Sequence, residues 1–464
     1  MQEVYFRFTE RRKRRSHPVT AETNSYDVVP YGQLAFAQTH PDRLATVARI
    51  FGLTPPPVAT CRVLELGCAS GANLIPMAFN LPDALFVGID LSRVQVQSAH
   101  VTIEALGLRN IQIWHASILD VQPDWGEFDY IICHGVFSWV ETAVQDKILR
   151  IAAANLAPTG VAYVSYNVYP GWHMREMVRH MMRYHAGHFH QPGEQIEQAR
   201  ALLDFLTSAV DPSGAYGQLL GQEVERLKQN SDSYLYHEHL EQTNAPLYFH
   251  QFIERAERAG LMYLSEASIS EMLSSHFQRP VAETLERISP DILHLEQYMD
   301  FVRNRLFRQT LLVHASVRPR RALTPALVNG LLMSSAVLPE NTPVDLSSGT
   351  TVVFRNGRQR AEVSLPATKA AFALLSDTWP CAIAADELCS KALERAGSFM
   401  GETTSGDAHR ALVSDLFNAV TYGVVDLHTQ ARVDMLSTAS SEPRDEVLCR
   451  HRPLAPRHGR DSQV

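Results

Sequence analysis

Apolar residues at helical spacing open the readable part of the chain. Leu44, Val47, Ala48 and Phe51 follow His40-Pro41 along one face, and Gly52 closes the segment. Proline suits a first helical turn because its missing N–H would have no partner there, so Thr39 or His40 is expected as the cap. Pro55-Pro56-Pro57 makes a stiff connection. From Cys61 onward, short apolar runs alternate with amphipathic segments. Residues 62–66, 85–89, 111–115, 128–133 and 161–166 read as strands. Residues 72–80, a segment from the cap Ser92 to Gly107, and residues 143–156 read as helices. Strands that are apolar throughout are buried on both faces, and regular β-α-β alternation predicts a parallel sheet covered by helices.

After Asn167 the pattern changes. Residues 172–245 read as mostly helical and rich in His and Gln. Residues 249–260 form a helix stopped by Gly260, and 261–264 a late strand that would rejoin the first sheet after a long insertion. Residues 270–316 look helical. A further unit starts near Leu323. There, residues 350–355 and 358–364 flank Asn356-Gly357, a strong hairpin signal. Helical segments follow at 367–375, 384–396 and 408–420, and small helices with a hairpin predict a winged-helix-like module. The expected organisation is a basic tail over 1–20, a core over 21–171 and a helical region over 172–316. A C-terminal domain over 323–430 and a polar, disordered tail over 437–464 complete it.

Composition narrows the function classes. The 464 residues exceed one core, and the length corresponds to roughly three domains. Hydrophobic residues at 45% and charged residues at 20% mark an ordinary globular chain. A net charge of -8 argues against a protein that coats nucleic acid. The run Arg11 to Arg15 reads as a nucleic-acid arm, an address signal or a solvated extension. Cys61, Cys68, Cys133, Cys381, Cys389 and Cys449 form no CxxC pair, which disfavours a disulfide framework or zinc ribbon and fits the cytoplasm. No apolar core follows the basic run, so no signal peptide is expected. Residues 151–174 lack Asp, Glu, Lys and Arg, but Asn155, Pro158, Gly160, Pro170 and Gly171 break them, and no membrane span is expected. His180, His185, His188 and His190 do not share one helical face, and His237 and His239 have no partner ligands of coherent spacing. No metal is expected.

The sharpest chemical signal is Val63-Leu64-Glu65-Leu66-Gly67-Cys68-Ala69-Ser70-Gly71, where a strand turns into a helix. Gly67 and Gly71 let the backbone approach a ligand closely. Val87-Gly88-Ile89-Asp90 ends the next strand in a carboxylate able to accept from a ribose diol. A dinucleotide site would want GxGxxG. Here the glycines are four apart and Glu65 precedes them, which suits a cationic amino-acid ligand and repels a pyrophosphate. The chemistry favours S-adenosylmethionine (SAM) over NAD.

These residues resemble the class I SAM-dependent methyltransferases. The chain is more closely similar to the bacterial members with a fused methyltransferase regulatory domain, including the rickettsial protein-lysine methyltransferases. The strings that carry the likeness include Ser25-Tyr26-Asp27, Phe36-Ala37-Gln38-Thr39-His40-Pro41 and His134-Gly135-Val136-Phe137-Ser138-Trp139. Pro170-Gly171-Trp172-His173, Tyr236-His237-Glu238-His239-Leu240-Glu241, Lys369-Ala370-Ala371 and Trp379-Pro380 extend it. The resemblance implies a Rossmann-like sheet, then a mostly helical regulatory region and the winged-helix-like domain. It implies that Glu65, Gly67, Cys68, Ala69 and Gly71 hold the methionine end of SAM, with S-adenosylhomocysteine as product. Asp90 would hold the ribose and Leu91 would lie beside the adenine. Ser117 stands where the family often has an acid, so adenine recognition would rest on Ser117, the Ile118 backbone or Asp120. Apart from the resemblance, Tyr26 and Tyr31 precede the first helix and would form a lid over the cofactor or simply pack the N-terminal segment.

Acceptor-side candidates come from the ends of the fourth and fifth strands: His134, Tyr166 and Asn167. His134 would orient or deprotonate an acceptor, or bond a loop carbonyl. Tyr169 and Trp172 would form an aromatic cage or pack a loop. Some 200 residues outside the core favour a macromolecular acceptor, and the resemblance favours protein lysine. A small molecule or RNA is the alternative acceptor, and a non-catalytic SAM sensor the alternative class. Fourth-motif Asn-Pro-Pro-Tyr, common in base-amine and glutamine N-methylation, is absent. Residues 408–420 carry Arg410 and His409 beside Asp407 and Asp415, so DNA binding is not expected.

Overall fold

Each apolar run between Cys61 and Asn167 becomes a strand. The computed structural model describes residues 34–357, 359–401 and 404–431, so the basic run, Tyr26, Tyr31 and residues 437–464 lie outside the described residues. Helix α1 (Pro41–Ile50) starts where expected, with the His40 Nδ1 accepting from the Asp42 amide at 3.1 Å. β1 (Arg62–Leu66), α2 (Leu74–Asn80), β2 (Leu85–Asp90), α3 (Arg93–Ala105) and β3 (Ile111–His115) follow in alternation. β4 (Phe128–Cys133), α4 (Thr142–Asn155) and β5 (Leu156–Asn167) complete the series. Ser92 caps α3 by accepting from the Gln95 amide. Val63, Leu64, Leu66, Ile89, Ile113 and Ile132 are buried at the centre of the sheet.

The chain then leaves the sheet for α5 (Gly171–Ala186), α6 (Pro192–Ala209) and α7 (Ala215–Lys228). These helices bury their own core of Val178, Met182, Leu203, Leu220 and Leu227. The turn Asp232–Leu235 runs into a π-helix, Tyr236–Leu240, and α8 (Phe249–Arg258) returns the chain to the sheet. β6 (Leu261–Glu266) rejoins it, as the sequence predicts. Beyond it lie α9 (Arg279–Ile288), α10 (Ile292–Arg303) and β7 (Phe307–His314).

β7 corrects the reading of 270–316 as helical. The sheet order is β3-β2-β1-β4-β5-β7-β6, and β7 runs antiparallel between β5 and β6. Its polar Arg308 and Thr310 are fully buried, which breaks the apolar run that would announce an interior strand. What permits this is a compensated charge cluster. Arg308 reaches Glu266 at 2.7 Å, Asp300 at 2.8 Å and Glu296 at 2.9 Å, and its guanidinium lies 3.9 Å from the Phe249 ring. Arg305 adds a second guanidinium, 3.1 Å from Glu271. Burial pushes the Glu296 carboxyl up to about 7, and the nearby Arg308 opposes that shift. Burial also opposes ionisation of Glu266, but Arg308 and Arg305 outweigh it and hold that carboxyl below its usual range. Three buried carboxylates thus face two guanidiniums, which limits uncompensated interior charge.

A second unit begins at Thr324. It holds β8 (Leu332–Ser334), β9 (Leu338–Pro339), β10 (Val352–Asn356), β11 (Gln359–Val363), α11 (Pro366–Thr378), β12 (Ile383–Ala384), α12 (Ala385–Ala396), α13 (Ser405–Thr421) and β13 (Asp426–His428). The Asn356-Gly357 hairpin forms, with Gly357 at φ +57°. It belongs to the sheet β11-β10-β9, whereas β12-β8-β13 is a separate sheet. A wing in the usual order would follow the helices, and this hairpin precedes all three. No described helix is long and apolar enough to cross a membrane.

Candidate active site

The loop after β1 pivots on two amides. Gly67 N and Cys68 N both donate to Ile89 O, at 2.9 and 3.0 Å, so the chain turns against the end of β2. Gly67 has φ +75° and Gly71 +74°. A Cβ on Gly67 would lie 2.4 Å from a Val136 methyl, and one on Gly71 2.5 Å from Ile113 Cδ1. Ala69 occupies φ +46°, a left-handed conformation that glycine would adopt at no steric cost. It is held there by its amide, which donates to Asp90 Oδ2 at 2.8 Å. Asp90 Oδ1 accepts from Ser92 N at 2.8 Å. Asp90 therefore fixes the loop before any ligand arrives.

Glu65 is buried behind this loop at 4% exposure. Its Oε1 accepts from Asn73 Nδ2 at 2.8 Å, while its Oε2 is buried with no hydrogen-bond partner among the described residues. Burial, opposed by the Asn73 hydrogen bond and reinforced by Asp90, pushes the carboxyl up to about 7. Asn73 Oδ1 accepts from Phe36 N at 2.9 Å and from the Thr39 hydroxyl at 3.2 Å. The segment before α1 is thereby pinned to the loop. Sequence reasoning missed Asn73 and Thr39. The available signal was an Asn two residues beyond Gly71, inside the same turn.

The remaining loop candidates have local partners. Cys68 is buried, its Sγ facing Gly88, and burial raises its thiol well above the usual range. Leu91 is 47% exposed, and His115 Nε2 lies 3.0 Å from its carbonyl. Ser117 caps the short turn Ile118–Asp120: its Oγ accepts from Leu119 N at 3.2 Å, and Asp120 Oδ2 accepts from Ser117 N at 3.1 Å. The displaced acid is thus spent partly on its own turn. Tyr31 lies outside the described residues.

On the acceptor side the candidates separate. His134 Nδ1 lies 2.9 Å from the Tyr163 hydroxyl and 3.1 Å from Ser165 Oγ, and Gly135 N donates to Ser165 Oγ at 2.8 Å. The Phe36 ring centroid is 3.9 Å from that of His134, and Phe307 is 6.1 Å away. Burial pushes His134 down to about 4, so it is neutral at pH 7. Tyr166 is not in this group. Side chains alternate along β5, so Tyr163 and Ser165 face His134 while Tyr166 projects from the opposite face. Its hydroxyl meets Thr310 Oγ1 at 3.0 Å and its ring stacks on Phe252 at 4.0 Å. Asn167 is buried too. Its amide nitrogen Nδ2 donates to Asn244 Oδ1 at 3.0 Å, tying down the loop before α8.

Trp172 is likewise a core residue, edge-on to Trp139 at 6.1 Å. Tyr169 stacks on His173 at 3.9 Å and donates to Glu176 at 2.9 Å. His237 and His239 are buried in the π-helix, and no group of three or more His, Cys, Asp or Glu among the described residues could hold a metal.

Comparisons with known proteins bear on the family and the fold. Residues 63–160 match the model of a methyltransferase domain, and residues 231–314 that of a "predicted methyltransferase regulatory domain". The uncharacterized protein RP789 of Rickettsia prowazekii is 38% identical over 417 residues, covering 88% of this chain and 74% of that protein. A second uncharacterized protein of that organism, RP028, is 40% identical over 235 residues, covering 50% of this chain and 94% of its own. Among solved structures, PKMT2 from Rickettsia typhi in complex with AdoHcy is 33% identical with a TM-score of 0.78. That match covers 86% of this chain and 77% of PKMT2.

Proposed function

This chain belongs to the class I SAM-dependent methyltransferases that carry a methyltransferase regulatory domain, and from that premise we propose that it methylates the side-chain amine of a protein lysine. The observation that carries the cofactor half is Glu65. A buried carboxylate oxygen without a partner, set behind a glycine cradle, fits the ammonium of a methionine moiety. Asp90, a carboxylate at the end of β2 beside that loop, fits the ribose diol. The relative PKMT2 is bound to AdoHcy, which supports S-adenosylmethionine as the cofactor. When bound, S-adenosylmethionine supplies an electrophilic methyl group on a sulfonium.

The chain's own residues then align and desolvate the acceptor. A free lysine amine with a pKa of about 10.4 is neutral in only about one molecule in 2,500 at pH 7. Phe36 and Phe307 flank His134 with apolar surface, which disfavours the ammonium form. His134 is uncharged, so it does not repel a cationic acceptor on approach. The likeness to PKMT2 over 86% of the chain supports a protein acceptor.

The test is to incubate the purified chain with radiolabelled SAM and a lysate of its source cells, with Asp90→Ala as control. Label in a nuclease-resistant protein band, recovered as methyl-lysine after acid hydrolysis and lost in the control, is the expected result. Label confined to RNA or to small molecules overturns the lysine assignment. Cofactor binding by calorimetry with no transfer to any fraction would favour a non-catalytic sensor.

A further inference from the structure

We infer that Tyr163 is a positioning residue that fixes His134 as the Nε2–H tautomer, so that His134 meets the acceptor as a hydrogen-bond donor and not as a base. The inference rests on the reading of His134 as an acceptor-side residue. It begins from the cluster at the ends of β4 and β5. Among the described residues, all hydrogen bonds of His134 are made by Nδ1, to Tyr163 at 2.9 Å and Ser165 at 3.1 Å.

The direction of the protons follows from the neighbours. Gly135 N–H donates into Ser165 Oγ, which leaves the Ser165 hydroxyl proton to be given onward. The Tyr163 hydroxyl has His134 Nδ1, at 2.9 Å, as its acceptor. A phenol is also a much stronger acid than a neutral imidazole N–H, so the bond is stronger with the phenol donating. Nδ1 is then the acceptor nitrogen, and the proton of the neutral ring must sit on Nε2.

A donor at Nε2 has a use in this chemistry. It bonds the lone pair of an arriving neutral amine and not an ammonium, which selects and orients the uncharged form; that bond breaks as the amine turns to the cofactor, and the N–C bond then forms as the sulfonium C–S bond breaks and S-adenosylhomocysteine leaves. The proton lost after methylation leaves to solvent. Tyr163 sets this state from a fully buried position without touching the acceptor.

Two-dimensional 1H–15N correlation spectra of the histidine rings in the full chain test the tautomer directly, with His134 assigned by its absence in His134→Gln. Nδ1 should resonate as the unprotonated nitrogen in the native chain, and Tyr163→Phe should shift the ring toward the Nδ1–H form, now bonded to Ser165. Nδ1 resonating as the protonated nitrogen in the native chain overturns the inference, whatever the acceptor proves to be. Turnover supplies the second arm. Gln carries an Nε2 donor and no base, so His134→Gln should stay within about tenfold of native kcat, the span of one neutral hydrogen bond, while His134→Ala falls further. Equal loss in both variants, with cofactor affinity intact, also overturns it. Failure to find methyl-lysine would affect only the acceptor assignment, because the spectra need no acceptor.

Discussion

Binding of the cationic cofactor should expel a proton from Glu65, and the pH dependence of affinity should reveal it. Glu65 is 4% exposed and bonded on one oxygen only, and its carboxyl is pushed up to about 7. An ammonium placed against Oε2 stabilises the carboxylate and returns its pKa toward the ordinary value of about 4.5 or lower. The protonated site must then ionise before it binds, so apparent Kd scales with one plus the ratio of protonated to ionised Glu65. For a pKa near 7 that factor is about 11 at pH 6, 2 at pH 7 and 1.1 at pH 8. Affinity should therefore rise about tenfold from pH 6 to pH 8. Proton release per binding event should fall from about 0.9 to 0.1 over the same range. The free protein shows the opposite sign. A carboxyl raised in the folded state contributes stability below its unfolded pKa, and this is lost as pH rises through about 7, for roughly 3 kcal/mol in all. Calorimetry of SAM in buffers of differing ionisation enthalpy gives Kd and proton count together. Glu65→Gln, which cannot ionise, should bind more weakly with a flat pH profile. A flat profile in the native chain with no proton release would refute the argument.

Three further outcomes are expected. Gly67→Ala places a methyl 2.4 Å from Val136 in a left-handed backbone, and should lower stability by about 1–3 kcal/mol in denaturant titrations and weaken cofactor binding. Arg308→Met leaves three buried carboxylates without their main partner, and should destabilise by about 3–5 kcal/mol. Melting scans should show that loss shrinking at acidic pH, where Glu296 and Asp300, both raised by burial, take up protons. Tyr166→Phe should cost about 1 kcal/mol of stability, one buried hydrogen bond, and leave kcat unchanged, because its hydroxyl faces Thr310 across the sheet from His134.

Much of the core was legible because the physics there is local. β1 to β5 are apolar runs between turn signals, and the cofactor loop carries its acids and glycines within a few residues. The late strand β6 was legible for the same reason. β7 was not, because Arg308 and Thr310 are tolerated in a sheet interior only through carboxylates on β6 and α10, which no window of sequence brings together. Asn73 escaped notice because its partners, Phe36 and Thr39, lie before α1. That Tyr166 stands apart from His134 escaped the sequence for a different reason. Proximity to the end of a strand says nothing about which face a side chain takes, and one residue of parity separates Ser165, beside His134, from Tyr166, beside Phe252.

The position of β7 has a consequence for synthesis of the chain. β5 pairs on its outer side only with β7, which is translated after all the inserted helices. Until the ribosome has passed His314, a nascent chain presents β5 as an apolar strand with an open row of amides and carbonyls. Pairings this distant in sequence form slowly, and unpaired edges invite association with other chains. A fragment cut at residue 160, the boundary of the matched methyltransferase domain, would lose the part of β5 that pairs with β4 and β7 and would leave β4 as the open edge. Expression should therefore favour chains that run through His314, and chaperone demand should peak during translation of the inserted helices.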